Sequence, residues 1–137
     1  PKVKSLEALV TDMERPNGIA FSLDESQLFI SNTGDTKYIR RYDIDKNLRV
    51  SNPIEFAKTD PDYVMDGFRF DTDNNLWTSC GDGVACYTPS GEQIGYIKIP
   101  ERVSNIEFGG SEGKTLFITA STSFYIANLN VKGAKFK

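Results

Sequence analysis

Three stretches of this chain repeat one pattern, a turn and a polar residue followed by a short strand that carries an aromatic side chain. They are Arg15-Pro16-Asn17-Gly18-Ile19-Ala20-Phe21-Ser22, Met65-Asp66-Gly67-Phe68-Arg69-Phe70-Asp71 and Ser104-Asn105-Ile106-Glu107-Phe108-Gly109-Gly110. Aligning Phe21, Phe70 and Phe108 also superposes a second set of strands: Leu28-Phe29-Ile30-Ser31, Leu76-Trp77-Thr78-Ser79 and Leu116-Phe117-Ile118-Thr119. The bridges between, residues 23–27, 72–75 and 111–114, are rich in Asp, Asn, Ser and Gly, the residues that close hairpins. Each unit therefore opens with a β-hairpin, and the units recur at roughly 40 to 50 residues. Phe21, Phe29, Phe70, Trp77, Phe108 and Phe117 stand at equivalent places, so they are expected to form the core between units.

Further short strands come later in the units, at residues 39–44 and 54–56, 84–87 and 94–99, and 123–129. Apolar spacing of three and four never persists over a dozen residues, so the sequence predicts an all-β chain without a long amphipathic helix. Repeats of this length with up to four short strands each are the signature of β-propeller blades. An up-and-down sandwich also accounts for alternating strands, but not for a polar residue at the start of every unit. The reading is one domain, residues 1–137, of three four-stranded blades at approximately 10–57, 58–100 and 101–137. Three are too few to close a ring, which takes about four to eight.

The chain contains no histidine, which removes Ser-His and Cys-His nucleophiles and His-based zinc sites together. Its chemistry must come from carboxylates, amides, hydroxyls, lysines or a bound ion. Sixteen basic against nineteen acidic residues give a net charge of −3 with no basic block, and no basic residues interleave with the aromatics. Neither nucleic acid nor an anionic membrane is indicated as a partner. No long apolar run is present, and the amino-terminal run from Pro1 to Ser5 lacks the apolar middle of a secretory signal. The expectation is a soluble protein, cytoplasmic or periplasmic. Cys80 and Cys86 flank a Gly-Asp-Gly turn that brings Cys80 nearer Val84 than Cys86, so two buried free thiols are expected.

The ordered motifs resemble the carboxy-terminal half of the SMP-30, gluconolactonase and regucalcin family of six-bladed, metal-dependent propellers. Residues 15–22 with Asp24-Glu25 and Leu28-Phe29-Ile30 are similar to its fourth blade, Asp66-Gly67 with Asn75-Leu76-Trp77 to its fifth, and residues 108–120 to its sixth. The resemblance implies hydrolysis of a sugar lactone or related cyclic ester. It makes Asn17 and Asp66 ligands of a divalent ion in the channel, Ca2+ first, with Zn2+, Mg2+ or Mn2+ as alternatives. Asp66 is also the catalytic residue, a base on water or the group that positions it. Asn105, at the sixth blade's entry, becomes a substrate contact. Met65 stands where the family commonly has Pro. The first-blade Glu ligand and the substrate residues of the second and third blades have no counterpart, and two protein oxygens fall short of the six or more that calcium takes.

Asn-Gly and Asp-Gly are also ordinary turn dipeptides, and the Asn105 amide can serve backbone at a strand start. Residues 71–75 resemble the opening of a calcium loop but lack the glycine and glutamate that complete one, so a hairpin turn is expected there. Two functions remain open: a metal-dependent lactonase to which this chain supplies part of the active site, and a non-catalytic half-propeller for binding or self-assembly. Missing amino-terminal blades, or a second copy about a two-fold axis, would complete the ring.

Overall fold

A computed structural model describes residues 4–60 and 62–136; Pro1, Lys2 and Val3 of the amino-terminal run, with Pro61 and Lys137, lie outside them. The first sheet is a meander of β1 (Pro16–Phe21), β2 (Gln27–Thr33), β3 (Lys37–Ile44) and β4 (Val50–Lys58). The second repeats it with β5 (Met65–Phe70), β6 (Leu76–Cys80), β7 (Gly83–Tyr87) and β8 (Gln93–Lys98). The third consists of β9 (Val103–Gly109), β10 (Thr115–Ala120) and β11 (Phe124–Asn128), all pairings being antiparallel.

The third sheet thus has three strands where four were expected. After β11 the chain returns to the second sheet instead of adding an edge strand. Thr72 N–H donates to the Lys132 carbonyl at 2.8 Å, and Asp71 bridges to Gly133 before a 3-10 turn at Ala134–Phe136.

The opening strands β1, β5 and β9 pack side by side, so the sheets fan outward from one line. Period-two alternation sends successive side chains to opposite faces of each sheet, and the faces turned toward a neighbouring sheet are buried. Between the first and second sheets lie Phe29, Ile39, Met65, Phe68, Phe70 and Leu76; between the second and third lie Val84, Val103, Ile106, Phe108, Leu116 and Ile118. Each such side chain contributes about 1.5–3 kcal/mol by leaving water.

One aromatic joint repeats. Phe29 on β2 meets Phe70 on β5 at 5.0 Å between ring centroids, and its equivalent Trp77 on β6 meets Phe108 on β9 at 6.2 Å, both edge to face. The outermost members of the series lack such partners among the described residues. Phe21, the equivalent of Phe70 and Phe108, is 46% exposed. Phe117, the equivalent of Phe29 and Trp77, stacks only on Phe124, itself 64% exposed. The repeat pattern puts all six aromatics between sheets, but Phe21 and Phe117 sit on the two faces where these three sheets end.

Residues 7–15 are tied to the first sheet by polar contacts. Glu7 pairs with Arg49 at 2.5 Å, Asp12 with Arg40 at 2.8 Å, and Glu14 accepts the Asp35 N–H at 2.8 Å. Cys80 and Cys86 are free and buried, and burial pushes the thiols up to about 11 and about 12. Cys80 pairs with Gly83 rather than near Val84, because the turn is one residue tighter than the sequence suggested. No helix among the described residues is long and apolar enough to cross a membrane.

Candidate functional site

A β-bulge marks the entry of each opening strand. Pro16 pairs with Asn32 and Ile19 with Ile30, Met65 with Cys80 and Phe68 with Thr78, Val103 with Ala120 and Asn105 with Thr119. In every case the opening strand carries one residue more than its partner. Such bulges break the alternation and re-aim side chains, which is why they recur beside active sites. The residues left between these pairings on the opening strands are Asn17-Gly18, Asp66-Gly67 and Ser104. Register therefore makes Ser104, not Asn105, the equivalent of Asn17 and Asp66.

A hydroxyl on each second strand, buried at Ser31 and Ser79 and exposed at Thr119, fixes these entries. Ser31 Oγ accepts Gly18 N–H at 2.7 Å and reaches the Asp66 carbonyl at 3.4 Å. Ser79 Oγ repeats the device, accepting Asp66 N–H at 3.1 Å and donating to the Ser104 carbonyl at 3.3 Å. Thr119 holds the third position, donating to the Asn105 carbonyl at 3.3 Å and sharing a 3.0 Å bond with Ser104 Oγ. The signal lies in the alignment of Ser31, Ser79 and Thr119, but a small hydroxyl residue in a strand announces no role until its partners are seen.

The glycines of the bulges allow close approach. A Cβ at Gly18 would lie 2.0 Å from the Asp66 carbonyl oxygen, and one at Gly67 would lie 2.0 Å from Asn105 Oδ1. Asn17 and Asp66 are thereby brought together on adjacent strands. Asp66 is half-buried, and desolvation raises its carboxyl above the usual carboxylate range, opposed by a hydrogen bond from the Asn17 amide. The Asp66 side also forms the wall of a cleft of about 360 Å3 between the second and third sheets, with Val64, Gly81, Arg102, Val103, Ser104, Ala120 and Ser121.

Asn105 lies elsewhere. Its Oδ1 accepts the N–H of Ile106 at 2.9 Å and abuts Gly67, and the residue faces a smaller hollow of about 170 Å3 with Arg69, Glu107, Phe117 and Phe124. The structure therefore joins Asn17 to Asp66 and leaves Asn105 outside the Asp66 cleft.

One carboxylate and one amide oxygen are hard donors of the kind a divalent cation takes, so Asn17 and Asp66 fit part of such a site. Among the described residues no group of three or more Asp, Glu or Cys side chains gathers to complete one. The loop at residues 71–75 is a turn: buried Asp71 accepts Asp73 N–H, Asn75 N–H and the Trp77 indole at 2.8–2.9 Å, and Asn74 adopts φ +64°.

Meandering sheets that fan from adjacent opening strands, with polar bulges gathered at one end, define three consecutive blades of a β-propeller. The chain belongs to the SMP-30/gluconolactonase/LRE-like family, whose model matches residues 1–122. It is 35% identical over 126 residues to the gluconolactonase of Zymomonas mobilis, covering 85% of this chain and 35% of that protein. It is 30% identical over 121 residues to the 6-deoxy-6-sulfogluconolactonase of Pseudomonas putida, covering 84% of this chain and 41% of the relative. The crystal structure of a calcium-binding regucalcin from Agrobacterium tumefaciens superposes with a TM-score of 0.80 at 21% identity, over 91% of this chain and 49% of its own. The chain thus spans less than half the length of each.

Proposed function

We propose that this chain supplies one half of the mouth of a six-bladed lactonase propeller, in which Asp66 acts on the water that opens a sugar lactone. The observation that carries the reading is Asp66 itself, half-buried on a bulge, beside Asn17, at the wall of a cleft large enough for a monosaccharide. A carboxyl raised by burial is a better base near neutrality than a solvated one. Asp66 takes a proton as water oxygen bonds to the lactone carbonyl carbon; the ring C–O bond then breaks and the proton passes to the departing oxygen, leaving a hydroxy acid. Asn17 and Asp66 would hold the divalent ion, calcium first, and that ion when bound polarises the carbonyl. Asn105, bonded to its own strand, is at most an outlying substrate contact.

The relatives, a gluconolactonase and a sulfogluconolactonase, support an aldonolactone as substrate. Hydrolysis of glucono-1,5-lactone by the assembled protein, with and without EDTA and after Asp66→Asn, tests the reading. Loss of turnover in both arms is expected; turnover independent of Asp66 overturns it.

The open faces bearing Phe21 and Phe117 favour a companion reading, in which further blades cover them. The repeated joint specifies the fit, because Phe117 is the half that Phe29 and Trp77 present, and Phe21 the half that Phe70 and Phe108 present. Blades outside these residues or a second copy would serve equally, three blades being half of six. Light scattering on the 137-residue chain should give twice the monomer mass if a second copy closes the ring; a stable, folded monomer rejects that version.

A further inference from the structure

We propose that Arg102 makes the Asp66 cleft an anion-recognising site, so that the lactone taken by this protein carries a negatively charged group, such as a phosphate or sulfonate, away from its reacting carbonyl. The inference rests on the lactonase reading of Asp66 and adds the substrate's charge.

Among the described residues, Arg102 is the one basic side chain lining that cleft. Its backbone is fixed: Ser121 Oγ donates to the Arg102 carbonyl at 3.5 Å, and the next residue, Val103, donates its N–H to the Gly81 carbonyl at 2.9 Å. Its guanidinium, by contrast, has no hydrogen-bond or ion-pair partner among the described residues. The natural counter-ion would be its neighbour Glu101, but that carboxylate is already saturated. It accepts Thr122 N–H at 2.7 Å, Thr122 Oγ1–H at 3.1 Å, Tyr125 O–H at 2.7 Å and Ser123 O–H. Asp66, across the cleft, is served by Asn17 and makes no ion pair with Arg102.

The cleft therefore presents a carboxylate for chemistry and an uncommitted planar fork of N–H donors. A guanidinium binds phosphate, sulfonate or carboxylate oxygens two at a time, and the hydroxyls of Ser104 and Ser121 stand in the same lining. A neutral lactone leaves the fork to water; an anionic one fills it and is oriented by it.

The test compares 6-phosphogluconolactone with gluconolactone as substrates of the assembled protein, wild type against Arg102→Gln and Arg102→Lys. The ratio of kcat/KM on the anionic lactone to that on the neutral one should fall about 10- to 100-fold in Arg102→Gln, the range for a lost charged hydrogen bond, and be partly restored in Arg102→Lys. An unchanged ratio overturns the proposal. A binding arm keeps it separate from the lactonase reading: by calorimetry, 6-phosphogluconate should bind the wild type more tightly than gluconate does, and Arg102→Gln should abolish the difference. Selective product binding without hydrolysis of either lactone would retain the anion site and reject the lactonase; equal binding of the two acids would reject the anion site. Inorganic phosphate that competes as well as 6-phosphogluconate would show a free-phosphate site and overturn the substrate assignment.

Discussion

Replacing Ser79 by alanine tests whether a buried hydroxyl positions Asp66. Ser79 is fully buried, and its Oγ is the acceptor for Asp66 N–H at 3.1 Å and a donor to the Ser104 carbonyl at 3.3 Å, so one atom joins the entries of β5 and β9. Alanine deletes both bonds and leaves the Asp66 N–H without its acceptor, while the small cavity is nearly free of apolar cost. An orphaned buried donor costs about 1–3 kcal/mol, which sets the expected loss at about 2 kcal/mol. A chain of this length unfolds with an entropy of about 0.3 kcal/mol/K, so the midpoint should fall by about 7 °C. The assay is thermal unfolding followed by circular dichroism, with Ser104→Ala alongside. Ser104 is exposed, and its loss should cost about 0.5 kcal/mol or less. A Ser79→Ala midpoint within about 1 °C of Ser104→Ala would refute the bridging role, and with it this explanation of how Asp66 is placed.

Gly18→Ala should destabilise more than Gly67→Ala in parallel urea titrations, because the new Cβ meets backbone oxygen at Gly18 but the end of a movable Asn105 side chain at Gly67. Phe68→Ala, in the core between the first two sheets, should cost about 3–5 kcal/mol by the same titration. For Asp66, burial raises the folded carboxyl above its unfolded value, so the native state holds its proton longer. Its contribution to stability is therefore lost as pH rises through the carboxylate range, and in EDTA Asp66→Asn should lack this component in melts compared at about pH 4 and pH 7. Glu101 runs the other way: hydroxyls and an amide hold it down to about 2 from 4.5, so its contribution is present above 4.5 and fades as pH falls toward 2. Wild type and Glu101→Gln should accordingly differ near pH 7 and converge near pH 2.

The blade pattern was legible because Phe21, Phe70 and Phe108, with the Leu-aromatic pairs of the second strands, recur with strand periodicity and turn chemistry that few other folds produce. The bulges were not, since a one-residue excess is a property of two strands together and neither strand shows it alone. That is why Asn105, an amide at a strand start, stood in for Ser104. Asn17 and Asp66 were visible as strand-entry residues, but their proximity depends on Gly18 and on hydroxyls in other strands. Phe21 and Phe117 carry the core pattern of their equivalents, and only the count of sheets decides that, among the described residues, no neighbouring sheet covers them.

That Asn17 and Asp66 share one ligand is tested most directly by calorimetric titration of the assembled protein with calcium after EDTA treatment. Saturable binding is predicted, weakened by Asn17→Ala and by Asp66→Asn separately, with enzyme activity rising along the same isotherm. Binding and activity unchanged in both variants would contradict it.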